Sequence, residues 1–571
     1  MGPKIIFYLL LASQTFTQVP AIGCGKISFC AVEKQAKGEE AYGTVIRNAT
    51  IVYGTDQDPR SGDIAFTRDV ISALGSINTT LIGPGTEIIE AHGAYISPGF
   101  IDSHTHDDVA ILKEPQHNFK VFQGVTTIVI GNCGFSNYPN GNLPLVKDHL
   151  RTLLGNVKDE YFHEDFRSFA TALKGNVGIN VASLVGHGPL RISVMGYDNR
   201  PATDREVANM TSILDNMLSQ GAIGLSLGLV YAPSTYAEHE ELVSLGRIVA
   251  QRNKILTAHI RSYEGKLLDS VAEFISVLRE SKAKGLLSHL QVAGRPYWGT
   301  SIKSALEMIQ KAREEGVDVA VDMYPYLAGS STIMQLLPPS AQTGGLDEFF
   351  SKLEDPEFVM WLQNLTESGS EPGWESKIAL IGYENVVIGS VVGGHLKMYE
   401  GKTVIEGAML MNIDEFDFLL YIIIEDYGQT NVIMFQQSQE DNNQVFKFPF
   451  QMVGSDSIPR EGGKPHPRGF GTFPKVVGRM VKETKVLTLQ EAVRKVSGLT
   501  AERFGIDGRG ELKEGNKADV VWFDDTFLDT ATFDDPTLQP TGVKGVWVNG
   551  VRIVKDGVSL SRLPGNVIGS G

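Results

Sequence analysis

From Ala41 to about Ile96, apolar and polar positions alternate with Asn, Gly and Asp punctuation, as in GTVIRNATIVYGT, GDIAFTRDVISALG and TEIIEAHGAYISPG. A period of two predicts short, half-buried β-strands joined by turns. The same texture returns near the C-terminus in GELKEGNKADVVWFD and VKGVWVNGVRIVKDG. There Asn549-Gly550 sits between two apolar runs, the strongest short-range signal for a hairpin. The pattern predicts one small β-domain, a sandwich, built from residues 41–96 and 501–571.

Between these ends the pattern changes. Short, buried-type runs alternate with segments of helical period, the signature of βα units around a parallel sheet. Strands are predicted near Ser97–Asp102, Thr126–Ile130, Val177–Val185, Ala222–Leu227, Ile255–Ala258, Gly285–Ser288, Val317–Asp322 and Gln451–Ser455. Predicted helices include Ser270–Glu280 and Ser301–Glu315, the latter with Leu306, Ile309 and Ala312 on one face. Eight strands with intervening helices predict a (β/α)8 TIM-like barrel over residues 97–500, with its chemistry at the C-terminal ends of the strands. One stretch, about 336–449, is far longer than a barrel helix requires. It predicts an insertion between strands seven and eight, serving either as a lid or as a packing subdomain.

Composition adds little to the fold but narrows the partners. At 571 residues the chain has room for a large core, and 42% hydrophobic with 21% charged residues is ordinary for a globular protein. A formal net charge of −16 argues against nucleic acid or an anionic membrane as partner. Residues 1–40 read as a signal peptide and linker: Lys4, the apolar run IIFYLLLA, and small residues at Val19-Pro20-Ala21. No later apolar run is long enough for a stable membrane span. Export implies a secreted or lysosomal destination. It suits the sequons at Asn48, Asn78, Asn209 and Asn364, and leaves Cys24 and Cys30 either paired or idle in a tail.

The candidate chemistry lies at the predicted strand ends. His104 and His106 in PGFIDSHTHDD share one side of an extended chain, so both imidazoles can reach one ion. His259 closes ILTAH and His289 closes LLSH. Either alone reads more readily as a satisfied core histidine, but together at equivalent barrel positions, alongside His104 and His106, they point to metal. Cys133, between glycines in GNCGF, is a small apolar residue or a thiolate turned toward the ion. Mixed imidazole and thiolate donors favour Zn2+ over magnesium or calcium. Asp456 in GSDS is either a helix cap or a general base and acid beside a metal-activated water.

At these residues the chain resembles the D-aminoacylases, the N-acyl-D-amino-acid deacylases of the amidohydrolase superfamily. The resemblance runs from about Ala41 to Gly557 through PGFIDSHTHDD, QGVTTIVIGNCGFS, GHGPLR, TAHIRSYEG, LLSHLQ, DMYPYLAGSS, GSDS and HPRGFGTFPKVVG. It implies a tight zinc position at Cys133, His259 and His289, and a second, weaker position at His104 and His106. It implies catalysis by Asp456, and a substrate carboxylate bound by Arg468 with further contacts from Tyr324 and Ser330. The implied substrate is a small N-acyl-D-amino acid. The chain departs from the family at Gln291, where a lysine is usual, and at Ser457, where GSDG is usual. The first removes a positive charge from the substrate pocket; little effect is expected of the second. The competing readings are a cyclic amidase of hydantoinase or dihydroorotase kind, a dipeptidase, and a non-catalytic secreted scaffold.

Overall fold

The computed structural model describes residues 40–569. The predicted signal segment and the Cys24–Cys30 pair lie outside them. Among the described residues no helix is long and apolar enough to cross a membrane.

Eight short strands carry the predicted βα alternation: β1 (Phe100–Asp102), β2 (Val125–Ile130), β3 (Asn180–Ser183), β4 (Gly224–Gly228), β5 (Ile255–His259), β6 (Lys284–Leu287), β7 (Val319–Met323) and β8 (Gln451–Val453). All neighbours pair in parallel. β1, β2 and β3 form one sheet, and a second runs from β8 through β7, β6 and β5 to β4 and then to Val185–Gly186, just beyond β3. Backbone hydrogen bonds also join β1 to β8: Ser103 N donates to Val453 O at 3.3 Å, and Asp456 N donates to His104 O at 2.7 Å. A single buried cluster takes Ile101, Val129, Ala182, Ile223, Ile255, Leu286, Ala320 and Met452, one residue from or just before each strand. Strands buried on both faces need such continuous apolar runs, which is why they were legible.

The intervening helices bury one stripe each. Leu267–Ser281 buries Val271, Phe274 and Leu278. Ser301–Glu314 buries Ile302, Ala305, Ile309 and Ala312, while Leu306 is only partly covered.

Strands from 44–98 and from 520–559 form one mixed nine-stranded sheet, in which Tyr95–Pro98 pairs antiparallel with Val520–Leu528. Its core includes Ile46, Ile64, Phe66, Val520 and Trp547, with the Phe66 and Trp547 rings 6.0 Å apart. Asn549 and Gly550 turn the hairpin with positive φ at both positions, as a type I′ turn demands. The predicted strand Ser97–Asp102 is divided here. Its first half belongs to the terminal sheet and only Phe100–Asp102 enters the parallel one, with Gly99 between them.

The segment between β7 and β8 carries its own core and a three-stranded antiparallel sheet of Ala328–Thr332, Asn431–Phe435 and Val386–Ser390. That sheet begins at Ala328, ahead of the boundary expected near 336. AGSST is small and polar, and becomes a strand only because Asn431–Phe435 lies beside it.

Candidate metal centre and substrate pocket

The strand ends deliver the predicted ligands to one place. The loop after β1 carries His104 and His106, β5 ends on His259, and His289 follows β6 by two residues. Cys133 sits in a turn after β2 that requires glycine on both sides. A Cβ at Gly131 would stand 2.2 Å from Leu184 O, and one at Gly134 would stand 2.9 Å from Gly228 N. Cys133, His289 and Asp456 all have positive φ, backbone strain that a packed surround must hold.

The donor atoms of His104, Cys133 and His289 lie within 4.8 Å of one another, as do those of His104, His106 and Asp456. Cys133 Sγ is 3.2 Å from His104 Nε2 and 3.4 Å from His289 Nε2. His259 packs against His289 with ring centroids 4.5 Å apart. The closest donor atoms therefore group Cys133 with His104 and His289, and His259 stands at the edge of that group rather than at its centre.

Both nitrogens of His259, and Nδ1 of His106 and His289, are buried without a hydrogen-bond partner. Buried polar atoms are normally satisfied, and three imidazoles with unpartnered nitrogens in one cavity with a buried thiol fit a cation. Burial, with His289 adding to it, holds His259 well below the ordinary histidine range, so it is neutral and able to ligate. Burial pushes the Cys133 thiol up to about 11 against the pull of His104. A metal ion against Sγ would reverse that. Soft sulfur with imidazole nitrogen fits zinc.

Asp456 stands between this cluster and the substrate side. Its Oδ1 lies 3.5 Å from His104 Nε2 and 3.2 Å from His106 Nε2, while Oδ2 faces Arg468 Nη1 at 2.9 Å. Burial works to raise its pKa, but Arg468 and His104 outweigh it and hold the carboxylate well below its usual range. Arg468 lies over the Tyr324 ring at 4.6 Å and donates from Nη2 to Ser330 O at 3.0 Å. Its Nε is buried with no partner, and Nη1 meets Asp456 as an ion pair without hydrogen-bond alignment, which leaves donors for an incoming anion. Ser330 turns its hydroxyl to Asn431 Oδ1 at 2.7 Å. Gln291 accepts through Oε1 from Tyr324 OH at 3.3 Å, Gln436 Nε2 at 3.4 Å and Gln437 Nε2. Arg468, Tyr324, Ser330 and Gln291 line one cavity with His106, Cys133, His259, His289 and Asp456.

Comparison with known proteins bears on what this centre does. The model of the amidohydrolase family (Amidohydro_3) matches residues 87–387 and 450–554. A D-aminoacylase of Alcaligenes xylosoxydans xylosoxydans is 30% identical over 93% of this chain and 98% of its own length. The N-acyl-D-glutamate deacylase of the same organism is 33% identical over 93% of this chain and 97% of its own. The chain belongs to the amidohydrolase family, in its D-aminoacylase branch. Among solved structures, N-acyl-D-glutamate deacylase from Bordetella bronchiseptica, complexed with zinc and a phosphonate inhibitor that mimics the tetrahedral intermediate, aligns with a TM-score of 0.77. It has 30% identity, covering 93% of this chain and all (100%) of that one. The relatives place this amidohydrolase in a superfamily of TIM-barrel fold.

The amidohydrolase centre contains groups that sequence reasoning missed. Asp322 bridges two candidate ligands: Oδ2 lies 3.3 Å from His104 Nδ1, and Oδ1 accepts from the His289 backbone N–H at 2.6 Å. The signal was present in DMYPY, an acid closing an apolar strand. Asp322→Ala should weaken zinc affinity about 10- to 100-fold, the usual cost of losing a group that orients a metal-bound histidine. Competition with a chromogenic chelator measures it, and unchanged affinity would remove Asp322 from the centre. Lys377, from the insertion, enters the same cavity ion-paired with Glu264. No local pattern marks it, because the two are 113 residues apart. Ser457 is also engaged, donating to Asp107 Oδ1 at 2.9 Å. Asp107 meets His117 at 2.8 Å within a buried network that ties β1 to β8 through Lys120, Asp102 and Ser455.

Proposed function

We propose that this chain is a zinc-dependent N-acyl-D-amino-acid deacylase, hydrolysing the amide to a carboxylate and a free D-amino acid. The observation that carries the reading is the junction at Asp456: one oxygen faces the imidazoles, the other faces Arg468, and Arg468 keeps unpartnered donors toward the cavity. Cys133, His259 and His289, with His104 and His106, would hold the metal. Zinc held there would supply a water acidified to near neutrality and a Lewis acid for the scissile carbonyl.

The chain's own groups do the rest. Asp456 is ionised in the resting site and so accepts a proton at Oδ1, then releases it to the leaving nitrogen. Arg468 fixes the substrate carboxylate through the planar donors that suit it to a two-oxygen anion. Tyr324, Ser330 and Gln291 border that position. Gln291 adds hydrogen bonds without charge, leaving Arg468 and the paired Lys377 as the cations of the cavity. Paired N-acetyl-D- and N-acetyl-L-amino acids test the reading: the zinc-loaded protein should release free amino acid from the D series alone. Zinc-replete protein that cleaves neither series sinks it.

The parallel strands are read as a closed (β/α)8 barrel over 97–500, supported by the β1–β8 hydrogen bonds and the shared interior cluster. The terminal sheet is read as a sandwich folded around Phe66 and Trp547. A secretory destination, secreted or lysosomal, is supported by Lys4 and the apolar run behind it, and by solvent exposure of all four sequon asparagines. Protein from a eukaryotic host should gain mobility on enzymatic deglycosylation; an unchanged band argues against that route.

A further inference from the structure

Two cavities meet at His106. The first is the substrate pocket, with Arg468, Ser330, Gln291 and Lys377. The second also has His106 in its wall and is far larger, about 1700 Å³ to its open mouth against about 430 Å³. Adjacent residues line one each: Leu153 and Ile458 the first, Leu154 and Pro459 the second. The helix Leu143–Leu154 and the loop after β8 thus divide them, and His106 is the candidate ligand that lines both.

The two differ in chemistry. The first offers cations and amides. The wall of the second is mixed, with Arg460 in it, but carries a buried apolar part: Val109, Phe122, Leu154 and Val391 retain only 5%, 9%, 8% and 6% exposure. Phe119 and Phe470 extend it, their rings 5.5 Å apart. Charged and polar groups, among them Lys397 and Asn156, are exposed at the mouth, while Lys113 and Glu461 pair with each other at 3.4 Å.

An amide has two ends. If Arg468 holds the amino-acid carboxylate, the acyl substituent leaves the reacting carbon on the side away from it, toward His106 and the second cavity. We propose that this groove is an acyl-chain site, and that the substrates are amino acids N-acylated by a medium- or long-chain fatty acid. This rests on the deacylase reading above. Hydrolysis adds water across the amide, so the products are the fatty carboxylate and the D-amino acid.

The test varies only the acyl group. On one D-amino acid, kcat/KM of the zinc-loaded protein is measured from acetyl through butyryl, hexanoyl and octanoyl to decanoyl. Full burial of a methylene would give about threefold to fourfold each, so even a half-open groove should raise kcat/KM about tenfold or more from acetyl to octanoyl. Val391→Trp should fill the floor and abolish most of that selectivity. Val392→Glu, at a groove residue already 37% exposed, should lower it without asking the core to repack. Independently of turnover, decanoate should displace a fluorescent fatty acid from the wild-type protein and do so less well from both variants. Acetyl substrates cleaved at a rate that is flat or falls with chain length would overturn the acyl site and leave the deacylase reading intact. Decanoate displacement with no cleavage of any acyl amino acid would support the groove and sink the deacylase reading. No displacement from the wild type would overturn the groove outright.

Discussion

Asp456→Asn should lower kcat by about 10²- to 10⁴-fold, the range by which a positioned general acid–base accelerates a reaction. The variant preserves shape and removes only the capacity to take and return a proton. The Cys133, His259 and His289 side chains are untouched, so metal content should stay at the wild-type level. Stability should fall as well, because Arg468 is 1% exposed and loses its charged partner. Breaking a buried pair on one side costs about 3–5 kcal/mol. The measurement is therefore kcat of folded, zinc-assayed protein at a temperature well below its transition. Zinc-replete Asp456→Asn with wild-type kcat would remove Asp456 from the chemistry. Loss of zinc in parallel with activity would instead recast it as a ligand, a role its 3.2 Å approach to His106 makes a real competitor.

Cys133→Ser should release metal. The sulfur lies within 3.4 Å of two imidazole nitrogens, and serine replaces a soft, readily ionised donor with a hard hydroxyl. Losing a group that merely orients a ligand costs about 10- to 100-fold in affinity, so losing the ligand itself should cost at least about 100-fold. Turnover at limiting zinc should fall with occupancy and recover in part when zinc is raised. The side chain is nearly isosteric and the turn is set by its flanking glycines, so the thermal transition of the metal-free proteins should stay close. Unchanged zinc affinity would show that His104, His106, His259 and His289 suffice, with Cys133 reduced to packing.

Much of this was legible in one dimension. Short runs rich in apolar residues mark β1 to β8, because parallel strands are covered on both faces. The terminal strands declared themselves by alternation, and Asn549-Gly550 by a positive φ that few other pairs adopt readily. Candidate ligands at strand ends were readable for the same reason: His259 and His289 each break an apolar run at or just beyond a strand's C-terminal end.

What the sequence determined by itself was therefore local: strand positions, turns, and which residue types stand at strand ends. Tertiary structure alone decided which of them meet. It split the segment at Gly99 between two sheets, made a strand of AGSST at Ala328–Thr332, and drew His104 rather than His259 closest to Cys133. It also placed Asp322 behind two ligands, brought Lys377 across 113 residues to Glu264, and set a second groove beyond His106. The physical reason is common to all of these. A period or a turn reflects the preferences of neighbouring residues, whereas a distance between side chains far apart in the chain depends on how whole elements pack, and no local pattern records it.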